Sequence, residues 1–152
     1  GFTDSIELRR LNRATVECYM AMKGAERLQR HSLFCANGCA GNWTTENGEP
    51  LIFCGHKSLL QLAVWLEKHF PDWEWRNVRI FETEDPNHIW VECDGCGKVL
   101  LPGYPEGHCE NHYIHSFELE NGRIKRNREF MNPLQKLRAL GIPVPLIKRH
   151  NI

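Results

Sequence analysis

Apolar positions along this chain change their period twice. Ile6, Leu8, Leu11, Val16, Tyr19 and Met20 recur at helical spacing behind Thr3-Asp4-Ser5 and Glu7, an N-cap signature. They predict a first helix of about five turns ending near Lys23-Gly24, where glycine suits a C-cap. Ala25–Arg30 reads as a short second helix and Ser32–Cys35 as a strand. Residues 36–56 carry glycines at 38, 41, 48 and 55 and a proline at 50, which predicts irregular chain with one short strand. Residues 59, 62, 63, 66 and 70 then restore helical spacing, and Pro71 closes a third helix over Leu59–Phe70.

From Trp73 the period shortens to two. Trp73, Trp75, Val78, Ile80 and Phe81 describe a strand with room for a bulge, and Asp85-Pro86-Asn87 a turn. Ile89–Cys93 and Lys98–Leu101 read either as one long strand interrupted at Asp94-Gly95 or as two short ones joined by a turn. Pro102–Gly107 is a loop. Asn121-Gly122, flanked by alternating runs, marks a tight hairpin. Strict alternation on its second strand would put Ile124, Arg126, Arg128 and Phe130 on one face and Lys125, Asn127, Glu129 and Met131 on the other. Asn132, Pro133 and Gly141 bracket a short last helix over Leu134–Leu140, and Pro143 and Pro145 extend the tail. Helices first and antiparallel strands afterwards give an α+β fold with helices on one face of a sheet. Trp73, Trp75, Trp90, Tyr113, Phe117 and Phe130 are bulky enough to curve that sheet around a hollow. We expect one domain over residues 1–152, with an extended C-terminal tail from about residue 141.

Charge narrows the partners. Nineteen basic and nineteen acidic side chains cancel, which argues against a nucleic-acid or polybasic membrane surface, since both need clustered Lys and Arg. No apolar run reaches bilayer length and no charged-then-apolar leader opens the chain, so the expectation is a soluble, cytoplasmic protein. The seven cysteines are odd in number and widely spread, which favours reduced thiols over a disulfide framework.

Several chemistries compete for the polar residues. Cys93-x-x-Cys96 has zinc-knuckle spacing, and Cys35-x-x-x-Cys39 offers a second pair of unusual spacing. Cys109, His112 and His115 add donors, but residues three apart on a strand point to opposite faces and cannot share an ion without a bulge. Small core cysteines are the competing account, and no metal is expected. No glycine-rich phosphate loop is present, so no nucleotide cofactor is expected either. What remains is an apolar pocket with a few polar groups aimed into it. Glu129 lies at a strand's end, just before Phe130 and Met131. It is either a half-buried acid/base with a raised pKa or an edge glutamate paired with Arg126, Arg128 or water. Arg30, at a helix end, either grips a carboxylate or lies on the surface. Trp43, Trp73 and Tyr113 are the candidate aromatic walls.

Gly38–Thr45, Phe70–Trp75, Ile80–Asn87, Trp90–Cys93, Pro102–Pro105 and Asn127–Asn132, in this order, resemble the phenazine biosynthesis protein A/B family over nearly the whole chain. The resemblance implies a ketosteroid-isomerase-like, or nuclear-transport-factor-2-like, fold: a curved antiparallel sheet around a conical pocket closed by helices, usually as a dimer. It implies condensation of two amino-oxo-cyclohexene carboxylic acid molecules into a tricycle without a cofactor. Arg30 would hold a substrate carboxylate and Glu129 would be the acid/base. It also marks departures. Active members carry a histidine and a serine where this chain has Leu62 and Leu66, and a tyrosine near the pocket mouth where it has Cys109. Two readings follow. The chain is a condensing enzyme acting through Arg30, Glu129 and pocket shape, or it is a weakened duplicate that assists a B-type partner, as a homodimer or a mixed dimer.

Overall fold

In the computed structural model, which describes residues 3–150 and 152, Ser5 caps α1 (Ile6–Ala21) by accepting from the Leu8 amide at 3.1 Å. Only the second half of the apolar stripe packs. Val16, Tyr19 and Met20 are buried, while Ile6 and Leu11 are exposed. Asn12 is buried between them because its amide donates to Pro86 O at 2.7 Å and Asn87 Oδ1 at 3.0 Å, tying the helix to the turn at residues 85–87. The expected second helix is a 3₁₀ segment over Gly24–Leu33. Helix α2 spans His56–His69 and α3 spans Leu134–Ala139. Gly141, at φ +73°, ends α3 with Ile142 N–H donating to Leu137 O at 2.9 Å, a glycine C-cap as its place in the sequence suggests.

Six strands, β1 (Phe34–Asn42), β2 (Leu51–Cys54), β3 (Glu74–Glu82), β4 (His88–Val99), β5 (Gly107–Glu120) and β6 (Arg123–Met131), form one curved sheet in the order β2-β1-β6-β5-β4-β3. All neighbours are antiparallel except β1 and β6, which run parallel because most of the chain separates them and returns over the sheet. The region expected to be irregular thus holds most of β1 and all of β2. Its glycines mark close backbone approach instead of loop: a Cβ on Gly41 would run into the carbonyl oxygen of Leu51 on the neighbouring strand. β4 is one uninterrupted strand, and β3 is irregular between Arg76 and Arg79, where Asn77 adopts φ +54°.

Three expectations need correction. Cys39 and Cys54 face each other across β1 and β2 with Cα atoms 4.1 Å apart and are disulfide-bonded. The Gly55 N–H to Gly38 O bond beside them marks the closer, non-hydrogen-bonded kind of pair, which brings the sulfurs together. Cys18, Cys35, Cys93, Cys96 and Cys109 are thiols. Second, the hairpin at Asn121 (φ +52°) and Gly122 (φ +78°) forms, but the register slips so that Glu118 faces Arg126 while Leu119 faces Ile124. Lys125 is the extra residue of a bulge, which turns Ile124 inward onto the face of Asn127 and Glu129. Third, Trp90 and Phe130 lie on the outer face of the sheet, each within cation–π reach of Arg128, and do not border the hollow.

The core fills the concave side. Val16, Tyr19 and Met20 of α1 meet Phe34, Ile89, Val91, Phe117, Leu119 and Ile124 there. Each large side chain so buried contributes about 1.5–3 kcal/mol. A smaller cluster of Phe70, Val99, Cys109 and Leu140 closes one end. Among the described residues no helix is long and apolar enough to cross a membrane.

Candidate functional site

Alternation along β5 turns Tyr113, His115, Phe117 and Leu119 inward, and the β5–β6 register sets Met131, Glu129, Asn127 and Ile124 across from them. The first three rings stack along the strand, Tyr113 on His115 at 5.8 Å and His115 on Phe117 at 5.7 Å. Between this inner face and the helices lies a cavity of about 170 Å³, close to the size that accepts one six-membered ring. Tyr19, Arg30, Trp73, Tyr113 and Glu129 line it. Leu62 and Leu66 line its α2 wall without filling it.

Asn127 organises the polar floor. The Tyr19 hydroxyl donates to Asn127 Oδ1 at 3.0 Å, which turns the Asn127 amide toward His115 Nδ1 at 3.3 Å. His115 is wholly buried and its Nε2 has no partner among the described residues. Burial, helped by the charge of Arg30, pushes the imidazole down to about 3, so it is neutral near neutral pH. Glu129 Oε1 stands 4.0 Å from His115 Nδ1, too far for a hydrogen bond, and with a neutral ring the contact is not an ion pair. The Glu129 side chain is 20% exposed. Burial pushes its carboxyl up to about 7, while Arg30 and then Lys136 pull it back. A carboxyl poised there exchanges protons readily at neutral pH.

Arg30 and Arg27 divide two jobs. Arg27 is buried and spends its guanidinium on carbonyls, Gly24 O at 2.9 Å, Phe70 O at 2.8 Å and Pro71 O at 3.1 Å, so it is structural. Arg30 lies 4.4 Å over the Tyr19 ring, its Nε is shut off from solvent without a partner, and it joins no ion pair among the described residues. A guanidinium on a cavity wall with no carboxylate partner among the described residues has the chemistry to accept one.

The structure therefore brings Arg30, Glu129, Trp73, Tyr113, Leu62 and Leu66 to one cavity. Trp43 and Cys109 do not border it. Trp43 follows β1 onto the outer face, 5.9 Å from Arg128, and Cys109 packs with Phe70, Val99 and Leu140 in the end cluster. Sequence reading missed Tyr19, Asn127 and Lys136 as site residues, and named His115 only as a metal donor and Trp75 only as a residue that curves the sheet around a hollow. Two of these were within reach, because Asn127 shares Glu129's alternation and His115 that of Tyr113. His112 points outward to Asp94 at 2.7 Å, on the opposite face from His115, and among the described residues no three His, Cys, Asp or Glu side chains converge on a metal position.

Comparison with known proteins gives the arrangement its relatives. Phenazine biosynthesis protein PhzA2 of Pseudomonas aeruginosa is 81% identical over 152 residues, covering 100% of this chain and 94% of that one. PhzB1 of the same organism is 64% identical over 152 residues, with the same coverage. The crystal structure of a phenazine biosynthesis-related protein, PhzB2, from Pseudomonas aeruginosa superposes with a TM-score of 0.96 at 62% identity, over 100% of this chain and 94% of that one. A protein from Catenulispora acidiphila with a ketosteroid isomerase-like fold shares the fold alone, at a TM-score of 0.70 and 13% identity over 85% of this chain and 93% of that one. Because the family pattern matches residues 1–152 and both the sequence relatives and the superposed fold agree with it, the chain belongs to the phenazine biosynthesis protein A/B family.

Proposed function

We propose that this chain takes part in phenazine formation by binding amino-oxo-cyclohexene carboxylic acid molecules in the cavity and promoting their condensation. Each C–N bond forms as an amine attacks the partner's ketone, and water leaves as the carbinolamine becomes an imine. The attacking nitrogen must lose a proton and the departing oxygen must gain one. Glu129, its carboxyl near 7, is the group to pass that proton, and Arg30 fixes the carboxylate so that the reacting atoms meet. The observation that carries this reading is an unpaired guanidinium and a carboxyl poised near neutrality on the wall of one apolar cavity. Neutral His115 buttresses the site and carries no proton in the cycle.

One observation favours the second reading, a weakened duplicate that assists a B-type partner. Leu62 and Leu66 offer no proton donor on the α2 wall, and a missing proton-transfer group costs on the order of 10²–10⁴ in rate. Pairing with a second copy or a paralogue would use the outer face, where Arg128 sits among Trp43, Trp90 and Phe130. Tricycle formation from the amino-ketone, measured over the spontaneous background, separates the readings. A large acceleration that Glu129→Gln removes supports the enzyme. No acceleration by the native chain, with activity gained on Leu62→His/Leu66→Ser, supports the duplicate.

A further inference from the structure

A covalent link fastens one piece of the cavity wall. After β1 the chain turns back over residues 43–50 and returns as β2, a four-residue strand at the edge of the sheet, paired with β1. Leu51 and Phe53 of this flap border the cavity. Cys54 then passes through Gly55, at φ +87°, straight into α2, whose Leu59 borders the cavity too. Ala40 and Phe53 are cross-strand partners on the cavity side. The next pair along the strands, Cys39 and Cys54, therefore points the opposite way, where Cys54 is exposed and Cys39 half-buried. The bridge is within reach of a thiol in solution. The flap is otherwise lightly held. Leu51 and Ile52 are 52% and 46% exposed, and Phe53 is the β2 residue that packs on the core. At the α2 end the ties are Gly55 N–H to Gly38 O and His56 Nε2–H to Phe34 O, both 2.9 Å. Short edge strands with little buried apolar surface open at low cost. A bridge between residues 15 apart in sequence disfavours the open chain by about a hundredfold.

We propose that Cys39–Cys54 is a redox-active site, opened by a dithiol reductant, that sets whether the β2 flap stays closed on the cavity. One thiolate of the dithiol attacks the exposed Cys54 sulfur, forming a mixed disulfide and releasing the Cys39 thiolate. The second thiolate of the reductant then displaces Cys54. Two electrons and two protons pass to the protein, which gains two thiols, and the reductant leaves as a cyclic disulfide. Reduction removes the ring and leaves the hydrogen bonds, so β2 gains an open state while β4 and β5, in the middle of the sheet, keep theirs closed. A ring carboxylate lying between Arg30 and the Leu51–Phe53 wall loses part of that wall. The inference holds whatever reaction Glu129 promotes, since it concerns the wall and not the chemistry.

The test starts from the full chain, alkylated with iodoacetamide in denaturant before and after dithiothreitol and weighed by mass spectrometry. Five adducts are expected before reduction and seven after it, because five of the seven cysteines are thiols and the other two form the bridge. Amide exchange and the affinity for benzoate, one ring with one carboxylate, are then compared between the native and the reduced chain. Reduction is expected to speed exchange at Leu51 and Phe53 at least about tenfold, with β4 and β5 amides changed by less than about twofold. Benzoate is expected to bind at least about threefold more weakly, as the closed flap becomes only part of the population. Cys39→Ser/Cys54→Ser should match the reduced chain and ignore dithiothreitol, whereas Cys18→Ser, a thiol on α1, keeps the full response. Seven adducts from the untreated chain, protection of Leu51 and Phe53 that the dithiol does not move, or faster exchange spread through β4 and β5 each overturn the proposal. So does a benzoate affinity unchanged by reduction, or no benzoate binding to the untreated chain.

Discussion

Replacing Glu129 by Gln preserves shape and removes one titrating group, so it isolates the claim that this carboxyl sits in a dry chamber. Its folded value is about 7 against an ordinary 4.5. Between those limits the folded chain keeps a proton that the unfolded chain has released. The stability this group contributes is therefore fully present below about pH 4.5 and is lost as pH rises through 7. The interval, 7 minus 4.5, at about 1.4 kcal/mol per pH unit, amounts to about 3 kcal/mol. His115 works in the opposite sense. Held down to about 3 from 6.5, it contributes stability above about pH 6.5 that is lost as pH falls toward 3. From about pH 4.5 to 6.5 the two slopes offset in the native chain, and Glu129→Gln leaves the histidine slope alone. Urea unfolding followed by tryptophan fluorescence at several pH values gives both stabilities. The variant is expected to gain on the native chain by about 3 kcal/mol between about pH 4.5 and 8. A difference that stays within about 0.5 kcal/mol over that range would mean a hydrated carboxyl and would refute the reasoning.

Three further predictions probe the neighbours. Arg30→Met removes the charge that holds both Glu129 and His115 down, so the carboxyl titration followed by carbon NMR should move above its native midpoint; an unchanged midpoint would place Arg30 away from the carboxyl. Asn127→Leu leaves the Tyr19 hydroxyl and the His115 imidazole without their shared partner and should cost about 2–6 kcal/mol in urea unfolding, at about 1–3 kcal/mol per stranded group. A loss below about 1 kcal/mol would show that water replaces the amide. Gly41→Ala drives a methyl against the Leu51 carbonyl and should destabilise by about 1–3 kcal/mol, with faster amide exchange at Leu51 and Phe53, the β2 residues that border the cavity. Native-like exchange there would mean that β1 and β2 do not approach as described.

Local chemistry carried its own answers. Ser5 caps α1, Asn121-Gly122 makes the hairpin and Gly141 ends α3, because each depends on dihedral preferences and hydrogen bonds within a few residues. Glu129 and Arg30 were readable as candidates for the same reason: a charged group at an element's end is visible one position at a time. Facing was harder to read. One inserted residue, Lys125, reversed Ile124, and glycines that resemble loop residues allowed β1 to lie against β2. Tertiary structure alone decided that Arg30 is unspent while Arg27 is used up, that Trp43 and Cys109 miss the cavity, and that Lys136 reaches it. The sequence by itself determined which side chains can exchange a proton or hold an anion. Where the Glu129 carboxyl titrates was decided only in three dimensions, because desolvation and the field of distant charges belong to the packed assembly of β6, the 3₁₀ segment and α3.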